Sequence, residues 1–138
     1  MAVVVSHHLV YYIDRLLFGQ TTYVPWFVDL FTNVLVPNCL TDLSAFDICD
    51  LPGYSTFALN GNSWSSVGQP NECIAEYQYP QITYNFDAYA GGVTIFGYVV
   101  SDGTNVLYSE LFPAPYPIPP AGGELPLVLL FTAEQCPA

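Results

Sequence analysis

Basic side chains are almost missing from this 138-residue sequence, which has one arginine, Arg15, no lysine and twelve carboxylates. The formal net charge is −11, although only 9% of residues are charged and 52% are hydrophobic. Because lysine and arginine supply the non-specific affinity of proteins for phosphate, we expect no nucleic-acid partner. An anionic membrane surface would also repel the chain. A protein partner is expected to be neutral or basic, or to be contacted through apolar and tyrosine side chains.

We also expect no membrane-spanning segment and no targeting segment. No run reaches the roughly 18–20 apolar residues of a transmembrane helix, and the strongly apolar residues 125–131 are interrupted by Pro126. The N-terminus has no basic region and no small-residue cleavage site of the usual kind, so we predict no signal peptide. We therefore expect a protein made in the cytoplasm that does not enter a membrane.

Patterns that carry catalysis or metal binding are scarce. His7 and His8 are the only histidines, and neighbours on a helix point in different directions. Aspartates between residues 42 and 50 could offer oxygen ligands to Ca²⁺, but their spacing is not that of an EF-hand, and a solvated, turn-capping loop is the preferred interpretation. Glu72 and Glu76 are interpreted as surface residues rather than a glycosidase pair. We predict no enzyme, no catalytic residue, no metal, no cofactor and no small-molecule substrate.

The cysteines leave their own pairing open. Four cysteines allow three disulfide pairings, and the absence of a C-x-x-C unit gives little support to a zinc site. A short loop would be closed by one pairing, between residues 39 and 49, and the C-terminus would be held by another, between residues 73 and 136. The candidate disulfide cysteines are Cys39, Cys49, Cys73 and Cys136.

Twelve prolines and ten glycines favour short strands joined by turns over long helices. Residues 7–18 alone have helical spacing of apolar residues, and residues 36–53 are predicted to form a loop with a helical turn at 43–48. Asn60-Gly61 predicts a β-hairpin, Asp102-Gly103 a tight turn, residues 68–71 another turn, and the proline-rich residues 113–124 a crossover. The predicted strands are residues 23–35, 54–59, 73–79, 81–87, 93–100, 106–112 and 125–132.

This pattern predicts a mainly β fold, a β-sandwich or a jelly-roll-like barrel with one short N-terminal helix. We expect a single domain over residues 1–138, in which residues 1–19 form an arm and helix and residues 20–138 the β domain. Because so much apolar material with so few charges is unusual for a free monomer, some of it is predicted to lie in an interface with tyrosine contacts. The candidate interface tyrosines are Tyr11, Tyr12, Tyr77, Tyr79, Tyr84, Tyr89 and Tyr116.

Several segments occur in an order that resembles a family of small structural proteins of tailed bacteriophages. They are Leu30-Phe31-Thr32-Asn33, Gly53-Tyr54, Ile95-Phe96-Gly97-Tyr98-Val99-Val100 and Leu107-Tyr108-Ser109-Glu110-Leu111-Phe112. The resemblance covers roughly residues 8–131 and consists of strand and turn motifs similar to the family's LFTN, GY, YGYxV and LLWAERF segments. Tyr108 and Leu111 stand where that last motif has tryptophan and arginine.

The resemblance implies a virion protein, in particular a capsid decoration (cement) protein on the outer surface of the capsid. Its partners would then be the major capsid protein, further copies of itself, or both. The resemblance supplies no catalytic residue. A receptor-binding or glycan-binding module of a tail or fibre is the alternative.

Overall fold

A computed structural model describes the backbone of residues 4–5, 25–59, 63–71 and 74–134, and the side chains of residues 25–59, 63–65 and 76–130. This part of the chain is mainly β, as predicted, and its paired strands are antiparallel. The predicted helix over residues 7–18 lies outside the described residues. The strands are β1 (Val4–Val5), β2 (Trp26–Phe31), β3 (Phe57–Leu59), β4 (Ser65–Asn71), β5 (Ile74–Gln78), β6 (Ile82–Phe86), β7 (Val93–Ser101), β8 (Val106–Ile118), β9 (Gly123–Leu127) and β10 (Leu130–Glu134).

One layer is a five-stranded sheet in the order β1-β8-β7-β2-β3. Its centre is the β7–β8 hairpin, whose turn is the predicted Asp102-Gly103 turn. The Asp102 carboxylate accepts hydrogen bonds from the N–H groups of Thr104 and Asn105 at 2.9 and 2.7 Å. Gly103 has a φ of 96°, which residues with a side chain rarely adopt. Local turn chemistry therefore fixes this hairpin.

The other layer is a ribbon made of β4, β5, β6, β9 and β10. β5 pairs with β4 and β10, and β6 pairs with β9. The chain runs from β5 into β6 and from β9 into β10 with short breaks, and the Tyr79 N–H donates to the Leu129 carbonyl at 3.1 Å across the breaks. The break between β5 and β6 therefore lies opposite the break between β9 and β10.

The main core lies between the two layers. Strand β6 alternates between buried and exposed residues, which sends Ile82, Tyr84 and Phe86 inward. They meet buried residues of the five-stranded sheet, among them Leu30 and Ile95. Apolar burial between two sheets is the main stabilising contribution in a sandwich-like arrangement of this kind.

A second, smaller core covers the opposite face of the five-stranded sheet. Residues 32–48, here called the covering loop, pack Leu35, Leu43, Phe46 and Ile48 near Phe31 of β2. The Phe31 and Phe46 rings meet edge to face with centroids 5.0 Å apart. Phe31 and Leu30 are adjacent in one strand and so face opposite cores. The predicted helical turn at residues 43–48 is a single 3₁₀ turn, Leu43–Ala45.

The proline-rich segment is not a crossover, because β8 continues through it to Ile118. Thr94 of β7 pairs with Pro117, and residues 112–115 bulge opposite Phe96. Proline lacks an N–H group, so a strand tolerates it at a bulge or where the missing donor faces away from the neighbouring strand. The prediction of a crossover assumed that proline ends a strand. It overlooked that a strand tolerates proline at a bulge and where no neighbouring strand needs the N–H group.

Three further predictions, of a hairpin, a turn and a single strand, were wrong. β3 pairs with β2 and β4 pairs with β5, so the strands on either side of Asn60-Gly61, which lies outside the described residues, belong to different layers. Residues 68–71 form the end of the irregular strand β4 rather than a turn. The predicted strand over residues 125–132 is two strands, because the chain leaves β6 and joins β5 at residues 128–129. In each case tertiary pairing overrides a local signal.

Candidate interaction surface

The covering loop presents an apolar patch to solvent. Leu35 and Pro37 point towards the protein, whereas the alternate residues Val34 and Val36 are 80% and 76% exposed. Leu40, in the turn that follows, is 70% exposed. A stretch of backbone that is apolar on both of its faces is unusual on a soluble surface and is typical of an interaction site. Val34, Val36 and Leu40 are called the loop patch below.

Hydrogen bonds hold the covering loop in one shape. The Asn33 side chain donates to the Ala45 carbonyl at 2.9 Å and accepts from the Asp47 N–H at 3.0 Å, which ties both ends of the loop together. The Thr41 hydroxyl accepts from the Asn38 N–H at 2.8 Å and closes the turn that carries Leu40. The exposed aliphatic side chains are therefore carried by an ordered backbone, which lowers the entropic cost of binding a partner.

Carboxylates flank the loop patch. Asp42 lies two residues after Leu40, and Asp47 is tied to Asn33, the neighbour of Val34. Asp50 follows the covering loop, and all three aspartates are exposed. Among the described residues no three His, Cys, Asp or Glu side chains are grouped to hold a metal ion. Asp42 and Asp47 give the surroundings of the patch negative charge.

A second exposed surface combines tyrosine with proline at the far end of β8. Tyr89 is 47% exposed and Tyr116 is 39% exposed. The Tyr116 hydroxyl donates to the Glu124 carbonyl at 3.0 Å, and the Tyr89 N–H donates to the Pro120 carbonyl at 2.9 Å. These contacts bring the turn after β6 and the turn before β9 together. Half-exposed phenol rings of this kind can stack on a sugar or anchor a protein contact.

The other candidate interface tyrosines divide between surface and core. Tyr77 on β5 is 38% exposed and remains a candidate. Tyr79 and Tyr84 are buried and cannot form a contact surface. Tyr79 packs edge to face on Trp64 with centroids 5.3 Å apart, and Tyr84 points inward because of the alternation along β6. Tyr11 and Tyr12 lie outside the described residues.

A half-buried polar cluster joins residues 54–56 to β2. The Tyr54 hydroxyl donates to Asp29 Oδ1 at 2.7 Å and accepts from the Leu30 N–H at 2.9 Å. The Thr56 hydroxyl donates to the same Asp29 oxygen at 2.6 Å. The Tyr54 ring stacks on Tyr84 with centroids 5.4 Å apart. The cluster satisfies a strand N–H group that has no strand partner at this position, so its geometry is that of a structural support.

Burial keeps the tyrosines of the core protonated. It raises the pKa of Tyr54, which the hydrogen bond to Asp29 raises further, and it raises the pKa of Tyr84, with the Asp29 charge adding to the effect. Burial is also the main cause of the raised pKa of Tyr98 and of Tyr108. A phenol whose pKa is raised is a poor proton donor and does not supply a phenolate near neutral pH. None of these groups is therefore suited to acid–base catalysis.

The two described cysteines lie in different surroundings. Cys49 is a buried free thiol, and burial raises its pKa, which makes it unreactive. Cys39 is exposed on the covering loop. Because Cys49 is free, the predicted disulfide between residues 39 and 49 is not formed. Cys73 and Cys136 lie outside the described residues, so a disulfide between them stays a prediction.

The chain matches no protein-family model, no curated protein and no solved structure. In the part of the chain that the structure covers, no helix has the length and apolar character of a membrane span. His7 and His8 lie outside that part. Among the described residues, the loop patch and the Tyr89–Tyr116 surface are both exposed and suited to binding.

Sequence reasoning missed the loop patch, because the predicted strand over residues 23–35 divided Val34 from Val36. A signal was present in Val34-Leu35-Val36, three successive apolar residues directly before Pro37. Such a run either lies between two layers or leaves one apolar face uncovered. Asp29 and Tyr54 gave no comparable signal, because 24 residues separate Tyr54 from its second partner, Leu30.

Proposed function

We propose that this protein is a structural component of a bacteriophage particle, a capsid decoration protein that binds the outer face of the shell and stabilises it. The loop patch is the observation that carries the proposal, because three aliphatic side chains at 70–80% exposure are held in place by the surrounding loop. A partner that covers them removes apolar surface from water. The partner is the major capsid protein, and further copies of this chain meet one another on the shell.

Two other observations support an architectural role. The phage-family resemblance covers strand and turn segments, and these form part of the main core, including Leu30, Tyr98 and Leu107. The charge of −11 favours a position outside the shell, because a chain with one arginine and no lysine has little affinity for packaged nucleic acid. The protein performs no reaction in this account.

The test is binding of the purified protein to capsids that were assembled without it, read by cosedimentation. We expect saturable binding with a fixed number of copies per shell, and a higher temperature of shell disruption when the protein is bound. Binding that does not saturate, or an unchanged disruption temperature at saturation, contradicts a decoration role.

The Tyr89–Tyr116 surface favours one alternative, a glycan-binding module of a tail or fibre. Both rings are more than a third exposed and lie beside turns that backbone hydrogen bonds hold. A glycan array and binding to whole cells separate this function from the first. The alternative is supported if the protein binds cells but not empty shells, and if Tyr89→Ala and Tyr116→Ala abolish cell binding.

A further inference from the structure

We infer that the loop patch and the carboxylates around it form a docking site for a protein surface that has an apolar centre surrounded by lysine or arginine. The inference rests on the proposed function in one respect, since it names the part of this chain that would contact a shell. It goes beyond that function by assigning the contact to one face and by stating the chemistry of the partner.

The apolar centre follows from exposure and order together. Val34 and Val36 point away from the protein, while Leu35 between them packs on the smaller core. The Asn33 and Thr41 hydrogen bonds leave the loop little freedom to turn these side chains inward. Water therefore remains at the patch until another molecule displaces it, and the gain from that displacement scales with the apolar area covered.

The charge of the partner follows from the carboxylates beside the loop patch. Asp42 lies two residues after Leu40, Asp47 is hydrogen-bonded to Asn33 beside Val34, and both aspartates are exposed. Lysine is absent from the sequence, and the one arginine, Arg15, lies outside the described residues. A carboxylate at the edge of an interface gains from a lysine or arginine opposite it and loses from another carboxylate.

The same carboxylates disfavour binding of a second copy of this chain to the loop patch. Two copies that met face to face would bring two pairs of aspartates together, Asp42 and Asp47 of each copy, and each copy carries a net charge of −11. Like charges placed opposite one another weaken a contact and slow the encounter. Contacts between copies on a shell are therefore expected through other surfaces, such as the one that carries Tyr89 and Tyr116.

The opposite face of the molecule provides matched controls. Val128 is 47% exposed at the break between β9 and β10, in the layer that lies across the main core from the covering loop. Asp87 and Glu124 are exposed in the same layer. Val34→Ser is thus compared with Val128→Ser, and Asp42→Asn/Asp47→Asn is compared with Asp87→Asn/Glu124→Gln, which changes the net charge by the same amount.

The experiment measures binding of the full chain and these variants to two probes. The first probe is the capsid shell assembled without the protein. The second is an amphipathic helical peptide of leucine and lysine, whose leucine face is flanked by lysines. Circular dichroism and urea midpoints first establish that each variant is folded.

We expect Val34→Ser to weaken binding to both probes by about tenfold, and Val128→Ser by less than about twofold. We expect Asp42→Asn/Asp47→Asn to weaken binding several-fold at about 50 mM salt, and the difference to vanish near 1 M salt, where charges are screened within about 3 Å. The charge control should match the wild type at both salt concentrations in binding to the peptide, the probe that requires no contact between copies of the chain.

Different failures identify different errors. If the wild type binds shells and the loop variants bind them equally well, the docking site is wrong and the decoration function stands. If the wild type does not bind shells but binds the peptide through the loop patch, the decoration function is wrong and the docking site stands. If peptide binding is indifferent to the loop variants, the inference is overturned whatever the shells do.

Discussion

Replacing Tyr54 by phenylalanine tests the polar cluster that joins residues 54–56 to β2. The change removes one hydroxyl and keeps the ring, which stacks on Tyr84 and Phe86. That hydroxyl accepts from the buried Leu30 N–H and donates to Asp29. Its loss therefore leaves a buried donor without an acceptor and takes one of two donors from a half-buried carboxylate.

The magnitude follows from these two losses. An unsatisfied buried N–H costs about 1–3 kcal/mol, and a hydrogen bond to a partly solvated carboxylate contributes about 1 kcal/mol. Tyr54→Phe should thus lower the free energy of unfolding by about 2–4 kcal/mol. With an m-value near 2 kcal/mol/M, the urea midpoint falls by about 1–2 M.

Thr56→Val is the matched control. The Thr56 hydroxyl donates to the same Asp29 oxygen, but its hydrogen bond is exposed to solvent and involves no buried N–H group. We expect a loss of about 0.5–1 kcal/mol for this variant, since water replaces the lost donor. Equal losses for the two variants, or a Tyr54→Phe midpoint within about 0.3 M of the wild type, would refute the reasoning.

Three further predictions concern the core. Gly97→Ala places a methyl group against the Glu110 carbonyl oxygen and 2.7 Å from the Phe31 ring, and it should cost about 3 kcal/mol or more in urea unfolding. Raising the pH above about 10 should destabilise the protein, because the unfolded chain ionises its phenols there while the raised pKa values keep the buried ones protonated, so stability present below that pH is lost above it. Absorbance at 295 nm should show that the phenols of Tyr54, Tyr84, Tyr98 and Tyr108 ionise only as the protein unfolds. A variant that keeps only Cys49 should react with Ellman's reagent slowly when folded and rapidly in urea, since the Cys49 thiol is buried.

Each of these three predictions has its own control or contradicting outcome. Ser65→Ala, at an exposed strand position with one weak hydrogen bond, should change stability far less than Gly97→Ala. Tyr84→Phe should lower the number of late-ionising phenols by one. Fast labelling of Cys49 at a urea concentration far below the unfolding midpoint would contradict its place in the core.

The mainly β fold could be predicted from the sequence because its signals are local. Alternation over residues 82–86 and the Asp102-Gly103 turn both act within a few residues, and both appear in the structure as predicted. Which strands pair with each other could not be predicted from such local signals. Leu59 and Ser65 look like the two arms of a hairpin around Asn60-Gly61, yet they lie in different layers. Which sheet a strand joins depends on burial across the whole domain.

The exposed residues show the same difference between features with local causes and features that depend on long-range packing. Exposure of Tyr89 and Tyr116 agrees with their position near turns, whereas burial of Tyr84 depends on what β6 packs against. The loop patch depends on the covering loop folding back over Phe31, a contact between residues 15 positions apart for Phe46. Neither composition nor spacing indicates which side of an extended apolar run stays uncovered.

A cryo-EM map of decorated shells tests the central claim most directly, because it shows which face of the protein meets the capsid. The account predicts density at regular positions on the outer surface, with the covering loop turned towards the shell and the layer that carries Val128 turned towards solvent. Regular density with the covering loop facing solvent would contradict the assigned contact. Shells that show no added density at saturating protein would contradict the decoration function itself.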